Sequence, residues 1–322
     1  MEVIRQRGFA VTELPAGPDG IQPQTNDVAP LPAHSHWLGC DFQMDAEQTL
    51  VALRAMEPDW LVVDHYAIDI RWEERLRPYG GKLMVIDDLA DRLHCCDLLL
   101  DQNLGREPAD YVPMVPAHCT VLTGPRYALL RPEFAALRSY SLSRRVHPQL
   151  KKFLITMGGI DSPNATGQVL DALKNCPLPL DCRMTVVMGP HAPWLASVCE
   201  GAVSMPWPTE VKVGVDNMAQ LMADSDLAIG AAGSTSWERC CLGLPTLMVV
   251  LADNQWPGAK ALQEAQAASL IGNVSDIATQ LPLAIQTLTQ DHRLMSMGTA
   301  ASRVTDGRGI DKVLQTLGVL YD

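Results

Sequence analysis

Gly230, Gly233, Ser234, Thr235 and Glu238 stand close together in the stretch Asp226–Pro245, DLAIGAAGSTSWERCCLGLP. Leu227–Ile229 is a short apolar run that reads as a buried strand, and Gly230 and Gly233 break it. Ser234, Thr235 and Ser236 follow, and each residue type can cap a helix N-terminus. The helix runs through Trp237, Glu238 and Arg239 to about Leu242, where Gly243 and Pro245 stop it. Thr246–Leu251 reads as the next strand. A glycine-rich turn entering a helix presents free backbone N–H groups and the positive end of the helix dipole, which suits phosphate. Glu238 lies one turn into the helix, where its carboxylate can accept hydrogen bonds from ribose hydroxyls. The same pattern also builds an ordinary strand–turn–helix with no ligand.

A second turn of this kind is Gly158-Gly159-Ile160-Asp161-Ser162-Pro163-Asn164, after the apolar run Phe153–Met157. Pro163 suits a first helical position. Two such turns at adjacent strand ends would shape a nucleotide pocket, with base on one side and phosphate on the other. A full G-x-G-x-x-G is absent, as is Gly-Lys-Ser/Thr, so dinucleotide and P-loop readings are weak. No G-x-S-x-G surrounds Ser234, so it is not a nucleophile elbow.

Elsewhere, Asp64-His65-Tyr66 is the best polar cluster of the first half. Its plain reading is a His and an Asp bonded to a neighbouring loop. Asp87-Asp88 is a paired carboxylate, but no His or Asp at fixed spacing completes a metal site. His34, His36, His94, His118, His147, His191 and His292 are scattered and read as surface or capping residues. Nine cysteines include the adjacent pairs Cys95-Cys96 and Cys240-Cys241 but no C-x-x-C. Buried reduced thiols in a cytoplasmic protein fit this usage.

These residues need elements to hold them. Asp45–Met56 has helical apolar spacing, residues 73–77 suit a helix, and Phe9–Leu14 reads as a strand after a helix tail at Met1–Phe9. Residues 15–36 read as a loop. Trp60–Val63, Leu83–Ile86, Asp97–Leu100 and Thr120–Leu122 read as strands, several ending in carboxylates. Strand–helix alternation with polar strand ends signals a parallel α/β sheet with ligands at the carboxyl ends. Residues 139–149 are polar and basic and read as a linker between an N-terminal α/β domain, 1–138, and a C-terminal nucleotide-binding α/β domain, 150–322. In the second domain Met184–Met188 and Val211–Val215 read as strands, Val203–Met205 as a short one, and 259–267 as a helix.

The chain has 322 residues, 47% of them hydrophobic and 19% charged, enough for two domains with sizeable cores. Its formal net charge of −12 argues against nucleic acid or an anionic membrane as partner. No signal peptide and no apolar run of about 18 residues is visible. The sequence leaves oligomeric state open.

Four stretches together resemble the UDP-sugar hydrolases of pseudaminic acid biosynthesis and their spore-coat-polysaccharide relatives. They are LVVDHYAID (61–69), IDDLADRLHCCDLLLDQN (86–103), GPRYALLRPEF (124–134), and MGGIDSPN (157–164) with IGAAGSTSWERCCLGLPTLMVVLADNQ (229–255). The resemblance implies two Rossmann-like domains with a cleft between them, similar to GT-B glycosyltransferases. It implies hydrolysis of UDP-2,4-diacetamido-2,4,6-trideoxy-β-L-altrose with inversion and without a metal or other cofactor. Gly233, Ser234 and Thr235 would hold the diphosphate and Glu238 the ribose. Gly158, Gly159, Asp161 and Asn164 would line the nucleotide side, and Tyr66 and Asn254 would reach the sugar. The family opens with a strand and a G-x-G-H-x-x-R loop whose His is the base. This sequence has no such motif, so the first domain is expected to be incomplete at its N-terminus and no catalytic base is assigned. UDP-sugar binding without turnover, as such a truncated chain would show, and a glycosyltransferase are the two alternatives.

Overall fold

The computed structural model describes residues 2–15, 31–54, 56–288 and 293–318. Most of the loop expected at 15–36 lies outside the described residues, as do His292 and residue 55 of the helix expected over 45–56. The chain divides into two compact units, one of Met1–Asp101 with Arg106–Thr123, the other of Gln102–Gly105 with Gly124–Asp322.

The first unit holds a parallel sheet of β1 (Trp60–Val63), β2 (Lys82–Ile86), β3 (Leu98–Asp101) and β4 (Thr120–Thr123), in that order. Every residue of β3 is buried, which fits a central parallel strand covered on both faces. Its helices are α1 (Glu2–Gln6), α2 (Phe42–Leu53) and α3 (Ile70–Leu76). Asp41 caps α2 by accepting from Gln43 N, and Asp69 caps α3 by accepting from Arg71 N. Phe42, Ala46 and Leu53 join Trp72 and Leu76 in a core against Val63, Leu83, Val85 and Leu99. The strand expected at Phe9–Leu14 does not form. Gly8 leaves α1 with φ +86°, and Phe9 stays 66% exposed, with no sheet edge to bury it.

The second unit opens with α4 (Pro132–Arg144) and a six-stranded parallel sheet. Its strands are β5 (Lys152–Thr156), β6 (Arg183–Met188), β7 (Thr209–Val213), β8 (Leu227–Ala231), β9 (Thr246–Val250) and β10 (Ser269–Asn273). Around them run α5 (Ala165–Leu173), α6 (Leu195–Val203), α7 (Met218–Asp224), α8 (Thr235–Cys241), α9 (Trp256–Glu264), α10 (Ile277–Leu288), α11 (Arg293–Val304) and α12 (Gly309–Leu317). The strand order is β10-β9-β8-β5-β6-β7. This is the doubly wound order, in which the chain reverses direction across the sheet between its first and fourth strands. Here that reversal lies between β5 and β8, which pair with Thr156 opposite Gly230.

The linker expected at 139–149 is corrected by this arrangement: residues 139–144 belong to α4, within the second unit. The basic residues there bind carbonyls at the end of α7. Arg144 donates to Ala223 O and Ser225 O, and Arg145 donates to Met222 O, Ala223 O and Ser225 O. Val203, expected to open a short strand, instead ends α6. β10 was not foreseen. Gly272 lies inside it, and its register against β9 shifts between Leu270 and Gly272, which breaks the apolar pattern. No helix among the described residues is long and apolar enough to cross a membrane.

Candidate functional site

The two glycine turns leave the second sheet at its reversal point. In doubly wound sheets ligands bind just beyond the strand carboxyl ends at this place. Gly158 follows β5 with φ +87°, a conformation that favours glycine. Both Gly158 and Gly159 are exposed, with open space where a Cβ would stand. Gly189, after β6, packs on this turn so closely that a Cβ would stand 2.0 Å from Gly159 O.

On the neighbouring strand, Gly233 is followed by Ser234 at the N-cap of α8. Ser234 is exposed and makes no side-chain bond to its own helix. Thr235 is half-buried, and its Oγ1 lies 3.4 Å from Arg239 Nη1. Glu238 is half-buried as well, and among the described residues no hydrogen-bond donor meets its carboxylate. Burial pushes the Glu238 carboxyl above its ordinary 4.5, Arg131 and Arg239 oppose that shift, and Glu133 adds to it. Asn254 is exposed in the short turn Asp253–Gln255 after β9. Next to it, Gln255 Oε1 accepts from Leu251 N at 3.0 Å. Gln255 Nε2 would stand 3.7 Å from a Cβ on Gly233, so the Asn254 turn borders the Gly233 turn.

Asp161 and Asn164 both bond the start of the helix that follows. Asp161 is 5% exposed, and its two oxygens accept from Ala165 N at 2.8 Å and Thr166 N at 2.9 Å. Asn164 is the N-cap of α5 and accepts from Gly167 N at 3.2 Å. The Asp161 carboxylate and Asn164 Oδ1 thereby serve the first turn of α5. Asp161→Ala is expected to cost about 1–2 kcal/mol of stability, as for other lost helix caps. Urea titration of the variant measures this, and an unchanged midpoint would show that the cap contributes nothing.

In the first unit, Tyr66 follows β1 and donates its hydroxyl to Asp88 Oδ2 at 3.0 Å. Its ring lies 5.4 Å from His34 and 5.6 Å from Trp37, centroid to centroid. His65 Nδ1 accepts from Ala67 N at 3.1 Å, a local loop bond. Asp87 holds the turn after β2, and burial raises the Asp88 carboxyl's pKa. The aromatic group of His34, Trp37 and Tyr66 escaped sequence reading because two of its members lie in or beside a segment read as loop.

Residues 186–312 match the glycosyltransferase family 28 C-terminal domain. Acinetobacter baumannii MurG aligns with 99% of this chain and 88% of its own, at a TM-score of 0.66 and 15% identity. The chain has the fold of GT-B glycosyltransferases. The spore coat polysaccharide biosynthesis protein SpsG of Bacillus subtilis is 28% identical over 221 residues, 65% of this chain and 61% of that protein. The UDP-2,4-diacetamido-2,4,6-trideoxy-β-L-altropyranose hydrolase of Campylobacter jejuni is 34% identical over 114 residues, 35% of this chain and 39% of that protein. The matches thus span less than two thirds of these curated relatives' own length.

The GT-B fold accounts for the reversal point and both turns, but one feature of the site lies below them. Arg239, beside Glu238, is 1% exposed. The sequence signal for it is Gly230 inside β8, where a Cβ would stand 2.4 Å from Arg239 Nη1.

Proposed function

We propose that the protein binds a UDP-sugar through the β8–α8 turn and hydrolyses it to free sugar and UDP. The observation that carries this reading is Glu238: a half-buried carboxylate with no hydrogen-bond partner among the described residues, one turn beyond an N-cap serine that leaves its helix uncapped. A half-buried carboxylate with no donor from the chain's described residues is open to a ligand, and ribose hydroxyls supply such donors. Gly233, Ser234 and Thr235 then hold the diphosphate, and Gly158 and Gly159 border the nucleotide. Tyr66 and Asn254 are assigned to the sugar by the family resemblance. The matched hydrolase, named for a diacetamido-trideoxy sugar, supports such a sugar as the group released, and UDP-2,4-diacetamido-2,4,6-trideoxy-β-L-altrose is the substrate proposed.

In that reaction a water oxygen bonds to the anomeric carbon while the bond from that carbon to the β-phosphate oxygen breaks. The bonding pair leaves on UDP, and the attacking water gives up one proton to bulk solvent. Backbone N–H groups and hydroxyls at the turn meet the charge that develops on the diphosphate, which lowers the barrier to its departure. Attack opposite the leaving group gives inversion. The family 28 match supports a second reading, transfer of the sugar to an acceptor.

The test is proton NMR of the altrose substrate with purified protein and no acceptor. UDP release with the inverted anomer formed first supports hydrolysis. Release only on addition of an acceptor supports transfer. UDP binding without any release supports a binding protein.

A further inference from the structure

Behind the β8–α8 turn lies a buried cation that makes no ion pair among the described residues, with Glu238 acting on it only at a distance. Arg239 leads the fully buried side chains by volume, at 1% exposure. Its Nη2 donates to Ala231 O at 2.7 Å and to Ser236 Oγ at 2.9 Å. Its Nη1 donates to Thr235 Oγ1 at 3.4 Å. Its Nε is buried without a partner. Among the described residues no carboxylate oxygen lies within 4.0 Å of the guanidinium. Burial drives its pKa down to about 10, so the group remains charged at neutral pH.

A buried, unpaired guanidinium opposes folding, and an apolar side chain of similar volume would serve the core better. Yet the fold makes room for it. A Cβ on Gly230 would stand 2.4 Å from Nη1 and 2.9 Å from Thr156 O, so a larger residue there would force Arg239 and the neighbouring strand to shift. The charge sits under the backbone that runs from Ala231 through Thr235, and that backbone bears the proposed diphosphate site.

We propose that Arg239 is a positioning residue for the diphosphate. By donating to Thr235 Oγ1 it occupies a lone pair of that hydroxyl and leaves the hydroxyl proton to point at a phosphate oxygen. It also places a positive charge behind the turn, which the anionic ligand neutralises. A donor chain of this kind polarises along its length, so the Thr235 hydroxyl becomes a stronger donor. The inference rests on the nucleotide reading above and assigns its anion selectivity to a residue that does not touch the ligand.

The experiment compares wild type with Arg239→Met and Arg239→Lys. The affinities for UDP and for uridine are measured by NMR titration, and the melting temperature is measured without ligand. Arg239→Met is expected to weaken UDP at least about tenfold while uridine changes less than about twofold, because only UDP carries the charge that the arginine faces. The ligand-free melting temperature of Arg239→Met is expected to hold or rise, as when other buried charges give way to apolar groups. Arg239→Lys is expected to recover part of the UDP affinity. Wild-type affinity for UDP in Arg239→Met overturns the inference, as does an equal loss for UDP and uridine, which marks a structural role only. If Arg239→Met does not fold, Thr235→Val decides the matter: it must lose UDP selectively over uridine, and an equal loss overturns the inference. Wild type failing to bind UDP at all sinks the nucleotide reading itself, and the inference with it.

Discussion

Asp87→Ala is expected to destabilise the first unit by about 3–5 kcal/mol, the usual cost of removing one partner from a buried ion pair. Asp87 has a fully buried side chain and lies 2.7 Å from Arg92 Nη1, whose own side chain is 6% exposed. The same carboxylate accepts from Tyr111 OH at 2.9 Å, from Ala90 N at 2.9 Å and from Leu89 N at 3.2 Å. Ala90 has φ +53°, a strained conformation for a residue with a Cβ, and the Asp87 bond to its N–H holds it there. Alanine at 87 takes from the Arg92 guanidinium its buried carboxylate, leaving it Asp91 and Ile68 O, takes from the Tyr111 hydroxyl one of its two carboxylate acceptors, and removes the bonds that hold the strained turn at Ala90.

The pH dependence of this contribution has a definite sign. Burial alone would raise the Asp87 pKa, but Arg92, the Ala90 N–H, His94 and Tyr111 outweigh it and hold the carboxyl below its ordinary 3.8. A depressed acid favours the folded state when ionised, so its contribution is complete above 3.8 and is lost as pH falls below that value. Denaturant titrations of wild type and Asp87→Asn should therefore converge in acid and diverge at neutral pH. Equal stability of the two at pH 7 would sink the idea.

Asp87 also marks how far the sequence could be read. Its position at a strand carboxyl end was plain from the apolar run before it, and so were the ends of β1, β3, β5 and β8. The strands were legible because parallel strands buried on both faces are continuous apolar runs. What each polar strand end does was not legible, because its partner lies far along the chain. Tyr111 reaches Asp87 from 24 residues away. Asp161 resembled a ligand contact for the same reason: an acidic residue after a glycine turn serves a ligand or a helix equally well, and here the α5 N–H groups take it. Residues 139–149 failed differently. A basic polar stretch has the composition of a linker, yet Arg144 and Arg145 are held by the carbonyls that end α7. Composition reports charge and does not report carbonyls in need of donors.

Glu238→Ala is expected to weaken UDP binding by roughly 1.5–3 kcal/mol, the worth of hydrogen bonds to a charged group. That is about a 10- to 150-fold rise in Kd. The half-buried carboxylate meets no donor among the described residues, so ribose hydroxyls gain bonds without breaking any within the protein. The effect should fall on the sugar hydroxyls alone. Wild type is expected to prefer UDP over 2′-deoxy-UDP, and Glu238→Ala to bind the two alike. Acid should weaken the wild-type preference, because the carboxylate must stay ionised to accept from both hydroxyls. Burial lifts the Glu238 pKa above 4.5, so this loss begins at a higher pH than for an ordinary glutamate. Without ligand the sign reverses. A raised acid pKa favours folding in the protonated form, and that contribution fades as pH rises from 4.5 through the raised value. The ligand-free protein should therefore gain stability relative to Glu238→Gln on acidification through this range, while nucleotide binding weakens. Opposite slopes of stability and affinity belong to a carboxylate that the fold leaves unpaired and the ligand completes. Calorimetry of both variants with UDP and 2′-deoxy-UDP between pH 4.5 and 8 checks this. Unchanged discrimination between the two nucleotides in Glu238→Ala would remove this residue from the site.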